Sequence, residues 1–427
     1  MLAEAVAPVH SPPSASQRVY YGWVMVVLAA VAMTATLPGR THGLGLIAEP
    51  LINDPALGIS RTDFARLNFY AILIGSICCL PIGRWIDRRG VRLVLAFVAG
   101  SLGLSVLLMS RANGIAMLFV TLTLIRGLGQ GALSLVSIAM ISKWFVRRLP
   151  TAMALFTVLL SFGFIASILI FGTMVKSLGW RDAWAGLGLL LFAGMMPLGL
   201  LLARNTPESI GVAPDRGERV HERSAAPALS LLQALRSPSF WAFSFAGCFF
   251  NLVWSAITLF NESLLESRGL GHDVYLEVMA MMVFTGLPAN FLCGWLSRRW
   301  GMRPLLAFGM LALAISLAWF PMLQGRTNAL LYGGLLGVAG GIVTVIFFSF
   351  YGDTFGRAHV GAIQAAAQTL TVLASAVGPL LLTHAFDWYG DNGPFFRIAA
   401  LSALLLGLAV AIVPLPKQPE LVDGRLT

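Results

Sequence analysis

The sequence predicts an all-α membrane protein, with twelve transmembrane helices in two pseudo-symmetric six-helix bundles. Three observations carry that expectation. Of 427 residues, 57% are hydrophobic and only 11% charged, against about 25% charged in soluble domains. No water-facing surface could cover so much apolar side chain. Continuous apolar runs of about 20 residues, long enough to cross a hydrocarbon core of about 30 Å, recur along the whole chain. Finally, features of the first half return in the second at offsets of 210 and 211 residues, as in a duplicated bundle rather than a short-period solenoid.

The runs fall at 20–47, 65–86, 93–110, 115–142, 150–176, 183–203, 239–265, 274–297, 303–323, 329–352, 359–386 and 394–414. They are continuous rather than alternating, which excludes a β-barrel. Residues 1–19 are Pro/Ser-rich and read as a cytoplasmic tail without a cleavable signal. Residues 20–203 form the N-terminal bundle, and 204–238, the longest hydrophilic stretch, form a cytoplasmic linker. The C-terminal bundle is 239–414, and 415–427 is a second cytoplasmic tail.

Basic residues set the orientation. With the N-terminus inside, one side collects Arg18, Arg84, Arg88, Arg89, Arg92, Lys143, Arg147, Arg148, Arg298, Arg299, Arg303 and Arg357. The other side has few, such as Arg61, Arg111, Lys176 and Arg326. The positive-inside rule then puts both termini in the cytoplasm of a multi-pass inner-membrane protein. The net charge of +10 is this topological bias together with contact to anionic lipid, and its scatter over short loops disfavours nucleic acid. Cys78, Cys79, Cys248 and Cys293 all fall within spans, with no metal-ligand spacing or disulfide framework.

The repeat supplies the sharpest motif. "GRWIDRRGVR" (83–92) follows the second span and "GWLSRRWGMR" (294–303) the eighth; "RGLGQG" (126–131) answers "LGVAGG" (336–341). The first resembles the loop signature of the major facilitator superfamily, with Gly83, Asp87, Arg88, Gly90 and Arg92 at its positions. Gly83 permits close helix approach, Gly90 a tight turn, and Asp87 offers a carboxylate to a helix N-terminus. The resemblance implies that this terminus is the start of the eleventh span, near Val360 and Gly361. In the second copy Arg298 replaces the aspartate, so that latch is expected to be missing. "YYGWVMVV" in the first span, "KWFVRR" (143–148) and "GWRDAW" (179–184) resemble the monocarboxylate-transporter and oxalate/formate-antiporter branch. The fifth span lacks the Gly-Pro-rich signature of drug/proton antiporters.

Polar residues in spans face a neighbour or a water-filled cavity. Thr123, Arg126, Gln130, Ser134 and Ser137 step along one helical face of the fourth span. So do Asn251, Trp254, Thr258 and Asn261 in the seventh, with Glu262 beside them, and Gln364, Gln368, Thr371 and Ser375 in the eleventh. Isolated polar residues such as Asn290 read as helix–helix contacts. The first span carries "TLPGRTHGLG" (36–45). Pro38 removes a hydrogen bond, and Arg40 shares a face with Thr36. Arg40 and His42 point to opposite faces unless the break redirects one of them.

The branch resemblance implies a cation at about this place that meets a substrate carboxylate. Arg40 fits by position and charge, although a lysine is typical there. The branch's Asp/Arg pair on the eighth helix is missing, as are the basic residues of the oxalate and nitrate carriers. An internal ion pair of Arg40 with Glu262 is the alternative. His42, Asn261 and Glu262 are candidate coupling or gating groups, with His42 in range for pH sensing.

The leading expectation is a secondary active transporter of a small organic anion, working by alternating access as a functional monomer with the proton as coupling ion. An exporter of neutral or amphipathic compounds is the alternative, given Met279, Met281 and Met282. A non-transporting sensor is more distant, since no large output domain is visible. No Walker sequence, nucleophile–base grouping or metal-ligand spacing among the six histidines is present, so neither an enzyme nor a bound cofactor or metal is expected.

Overall fold

The computed structural model describes residues 20–77, 79–213, 215, 229–416, 421–422 and 425–426. For His42, Glu49, Arg61, Thr62, Ala65, His272, Leu421, Val422, Arg425 and Leu426 it describes the backbone alone. Among the described residues, eleven helices are long and apolar enough to cross a membrane: Arg66–Arg89, Val91–Ser110, Ile115–Trp144, Leu149–Leu178, Trp180–Leu202, Pro238–Glu266, Asp273–Trp300, Met302–Met322, Gly325–Phe355, Val360–Tyr389 and Gly393–Ile412. They are the second to twelfth spans. The first span is in pieces: a helix Gly22–Thr34, a 3-10 turn Leu37–Gly39 and a helix Thr41–Ile52. Helices satisfy every backbone group internally, which is what hydrocarbon demands. The one strand pairing among the described residues joins Leu421–Val422 to Arg425–Leu426.

Within each half most consecutive spans are joined by short turns. Gly90 and its repeat mate Gly301 are single-residue hinges at φ 81° and 80°, a region that L side chains rarely adopt. The outward belt of exposed Leu169, Leu201, Phe284, Ile398 and similar residues is the surface that lipid covers. Inside, the apolar core divides in two, one per half. The first is packed around Trp144, Phe156 and Trp184. The second is packed around Phe243, Tyr332, Tyr351 and Phe396, with Phe243 and Phe350 stacked 3.5 Å apart.

The connections 90, 145–148, 301 and 356–359, with the described parts 203–213 and 229–237, lie on one side of the bundle, here called the terminal face, where both ends of the helical chain also emerge. The halves are fastened there. Asp87 Oδ1 and Oδ2 accept from the Gly361 and Ala362 amides at 3.0 and 2.8 Å. Gly83 fits so closely that a Cβ would lie 2.5 Å from both Ala365 Cβ and Gly361 O. On the other side of the interface, Gly294 stands equally close to Ala154 and Pro150 O, and Thr151 donates to Gly294 O. Deeper in, Thr369 donates to Ser76 O, and Ile72, Val372 and Ala376 form a small apolar plug between the second and eleventh spans. Arg92 ties the loop down through Leu200 O and Asn205, while Arg88 is exposed. The linker crosses the same face: Asp215 accepts from the amides of 146–148, and Glu208 pairs with Arg357 at 3.1 Å.

Candidate functional site

Above these contacts, between the halves, lies a cavity of about 470 Å³, within the usual size for small-molecule sites. Its charged wall is Arg40. The 3-10 turn ends in an extended residue, Arg40 at φ −93° and ψ 154°, so the side chain leaves the helical track and enters the cavity. Arg40 Nε donates to Thr36 Oγ1 at 3.1 Å, and Nη2 donates to Ser134 Oγ at 2.8 Å and to Met33 Sδ at 3.3 Å. The Phe164 ring lies 6.0 Å from its guanidinium carbon. Nη1 has no partner among the described residues, and no described carboxylate, Glu262 included, pairs with Arg40. The expected alternative of an Arg40–Glu262 pair is therefore not formed in this structure.

The break that aims Arg40 rests on the fourth span. Residues Arg126–Leu133 form a π-helical stretch, a wide turn that rotates everything after it relative to regular helix. Gly39 packs against it: a Cβ there would lie 2.6 Å from Ile125 O and 2.8 Å from Gln130 N. Arg126 Nη1 donates to the Gly39 carbonyl, one of those that the break leaves unpaired, at 2.9 Å. Its Nε and Nη2 both reach Asn68 Oδ1, at 3.0 and 2.6 Å, and Nη1 also reaches Gln130 Oε1. Arg126 and Gln130 are thus spent on holding the break and do not line the cavity. Arg126 is close enough for Arg40 to repel it, so two cations sit together, and among the described residues their partners are neutral.

The opposite wall comes from the C-terminal half: Asn251, Trp254, Asn290, Gln368 and Thr371, with Met282 and Phe347 supplying apolar surface. Asn290 Oδ1 and Gln368 Oε1 are buried without a partner. Each side chain therefore has hydrogen-bonding capacity unspent.

Of the residues expected along the pathway, Arg40, Asn251, Trp254 and Gln368 line the cavity. Thr36 lies behind Arg40, fully buried, donating to Met33 O. Thr258 is turned back onto Trp254 O, and Asn261 is buried against Met279 Sδ at 3.5 Å. Gln364 is fully buried outside the wall, both amide atoms unpartnered. Glu262 follows Asn261 beyond the cavity. His42 lies in the helix Thr41–Ile52, and its side chain is outside the described residues. The continuous stripe expected on the fourth span is corrected: the π turn keeps Ser134 in the wall and withdraws Arg126 and Gln130. Asn290, expected as a helix–helix contact, is in the wall instead. Asn68 had no sequence signal at all.

The family model described as Major Facilitator Superfamily matches residues 19–379 and 278–424. The chain belongs to the major facilitator superfamily. Among similar proteins is Monocarboxylate transporter 4 of Rattus norvegicus, 24% identical over 372 residues, covering 86% of this chain and 74% of the relative. Another is Monocarboxylate transporter 12 of Xenopus laevis, 21% identical over 386 residues, covering 84% and 83%. The solved structure of the human organic anion transporter MFSD10 (TETRAN) superposes with a TM-score of 0.66 at 18% identity, covering 94% of this chain and all of that one. This superfamily member is a multi-pass membrane transporter, not an enzyme.

Proposed function

We propose that this superfamily member carries a small monocarboxylate with an apolar body across the cytoplasmic membrane by alternating access. The observation that supports this best is Arg40, a cation in the wall of a cavity between the halves, held by a hydroxyl, a second hydroxyl and a thioether, with no described anion beside it. A guanidinium is permanently charged and can take a carboxylate through two parallel bonds. Asn290 and Gln368 offer neutral hydrogen bonds from the far wall, and Phe164, Trp254 and Phe347 enclose an apolar remainder. The names of the similar proteins, monocarboxylate transporters among them, agree with this reading.

The terminal face is the cytoplasmic one, by the distribution of lysine and arginine. The structure is then the conformation closed to the cytoplasm. The proton is the coupling ion. Arg40 is the one charged residue described in the cavity wall, so the proton carrier lies outside the wall, with Glu262 and His42 as its candidates. Transport into proteoliposomes with and without an imposed pH gradient tests this, and equal rates exclude proton coupling.

The decisive experiment is thermal unfolding of the purified protein with lactate, pyruvate and larger monocarboxylates, against neutral and cationic lipophiles, with Arg40→Gln in parallel. At about 100 times its dissociation constant a ligand stabilises the folded state by about 2.7 kcal/mol. A carboxylate that stabilises the wild type and not the folded variant upholds the reading. A response to lipophiles alone favours the alternative of an amphipathic-compound exporter, which the methionine and aromatic walls accommodate.

A further inference from the structure

The internal repeat sets one position apart. Asp87 and Arg298 are equivalent, 211 residues apart, at the terminal-face ends of the second and eighth spans. Their surroundings correspond as well. Gly83 packs on Gly361 O and Ala365, and Gly294 packs on Pro150 O and Ala154, each again 211 residues apart. In the first copy a carboxylate binds two amides of the opposite half. In the second copy an arginine stands in its place. The fifth span opens with Leu149 and Pro150, the latter without an N–H, and the three amides before them are already taken by Asp215.

What the second copy has instead is a cavity of about 530 Å³, walled by Arg147 from one half and by Arg298, Arg299, Trp295 and Asp353 from the other. None of the three arginine side chains has a hydrogen bond or ion pair to a described residue. Arg299 lies over the Trp295 ring, 4.5 Å from its centroid, which orients the guanidinium without neutralising it. Asp353 lowers the formal charge of the wall from three positive to two and does not cancel it. Guanidinium groups converging on one space are suited to phosphate oxygens. Exposed Trp295 and Trp300 at the same helix end are the side chains that membrane proteins place at headgroup level.

We propose that this cavity binds a phosphate group, from a phospholipid headgroup or a free phosphate compound, and that the bound anion fastens the halves where the first repeat uses Asp87. Arg147 belongs to one half and Arg298 and Arg299 to the other, so the anion spans them only while the terminal face is closed. It therefore favours the conformation seen here. The inference uses no part of the central cavity and stands apart from the carboxylate reading.

The test is thermal unfolding of the full chain in neutral detergent at fixed ionic strength. It is titrated with dioctanoyl phosphatidylglycerol, with dioctanoylglycerol, which lacks the phosphate, and with inorganic phosphate. Phosphatidylglycerol is expected to raise the midpoint saturably and dioctanoylglycerol to leave it unchanged. The double variant Arg298→Gln/Arg299→Gln is expected to need at least ten times more lipid. A response to phosphatidylglycerol alone assigns the site to a headgroup, and a matching response to inorganic phosphate assigns it to a free phosphate compound; either upholds the proposal. Arg298→Asp restores the residue of the first repeat and should fold yet lose the response, deciding the matter if the double variant does not fold. Arg111→Gln, on the opposite face, should respond as wild type. Absence of a saturable shift with both phosphate probes overturns the proposal, as does an unchanged response in the Arg298 variants.

Discussion

Asp87 allows a conformational equilibrium to be calculated from the bonds in hand. It makes three contacts, but they differ in kind. The pair with Lys143, at 3.2 Å, lies within one half and persists however the halves move. The bonds from Gly361 and Ala362 cross between the halves and exist only with the terminal face closed. Hydrogen bonds to a charged group contribute about 1.5 kcal/mol each at the low end, and a neutral one about 1. Asp87→Ala then removes about 3 kcal/mol from the closed state alone. Asp87→Asn, keeping one neutral acceptor, removes about 2 kcal/mol, a shift of about thirtyfold in the ratio of the two conformations. The assay is labelling of Ser161→Cys, in the cavity wall, by a membrane-impermeant maleimide added from the face opposite the termini, with the native cysteines replaced. Labelling should slow in the order wild type, Asn, Ala. Equal rates in all three, with folding intact, would refute the claim that these two bonds hold the terminal face shut.

Other consequences can be measured separately. Gly39→Ala forces a Cβ between two backbone segments and should cost about 1–3 kcal/mol along with carboxylate affinity, while Gly45→Ala, with nothing within 4 Å, should leave both unchanged in the same unfolding assay. Arg126→Gln strips Asn68 and the Gly39 carbonyl of their buried donor and should destabilise by about 2–4 kcal/mol; a wild-type midpoint would show that the break holds without it. Burial alone would raise the Glu208 pKa, but the hydrogen bonds and charge of Arg357 outweigh it and hold it below the usual carboxylate range. Its folded pKa is thus depressed, so its contribution is full at neutral pH and fades as pH falls below about 4.5. Since Glu208 is half exposed, the Glu208→Gln difference at pH 7 should be under about 1 kcal/mol and should shrink as pH is lowered through the acid range in thermal melts.

The spans, the duplication and the loop around Asp87 were legible because each is written locally: apolar length, a fixed offset, a glycine that must turn. The cavity was legible only in part. Spacing rules assume regular helix, and both elements that matter most depart from it. The 3-10 turn at Leu37–Gly39 was hinted at by Pro38, yet nothing in the sequence said that Arg40 would swing to Ser134. The π turn at Arg126–Leu133 had no signal beyond its glycines, and it alone decided which polar residues of the fourth span face the cavity. Asn68 and Arg126 are 58 positions apart and Asp215 is 67 or more from the amides it caps. Such pairings are products of packing, and one chain read alone does not encode them in any local pattern.

The neutral company of Arg40 and Arg126 has an implication for turnover. On the alternating-access reading proposed above, an empty carrier that reorients would close low-dielectric walls around charge that no described residue balances, and uncompensated ions in such surroundings cost several kcal/mol each. The anion proposed above would remove much of that penalty before the halves move. If the substrate is the anion proposed above, the unloaded return would be the slow half of the cycle, and supplying substrate on both sides should accelerate exchange well beyond net flux. A barrier to the unladen journey, set by two arginines without a counter-ion among the described residues, would favour exchange by electrostatics, without any dedicated lock.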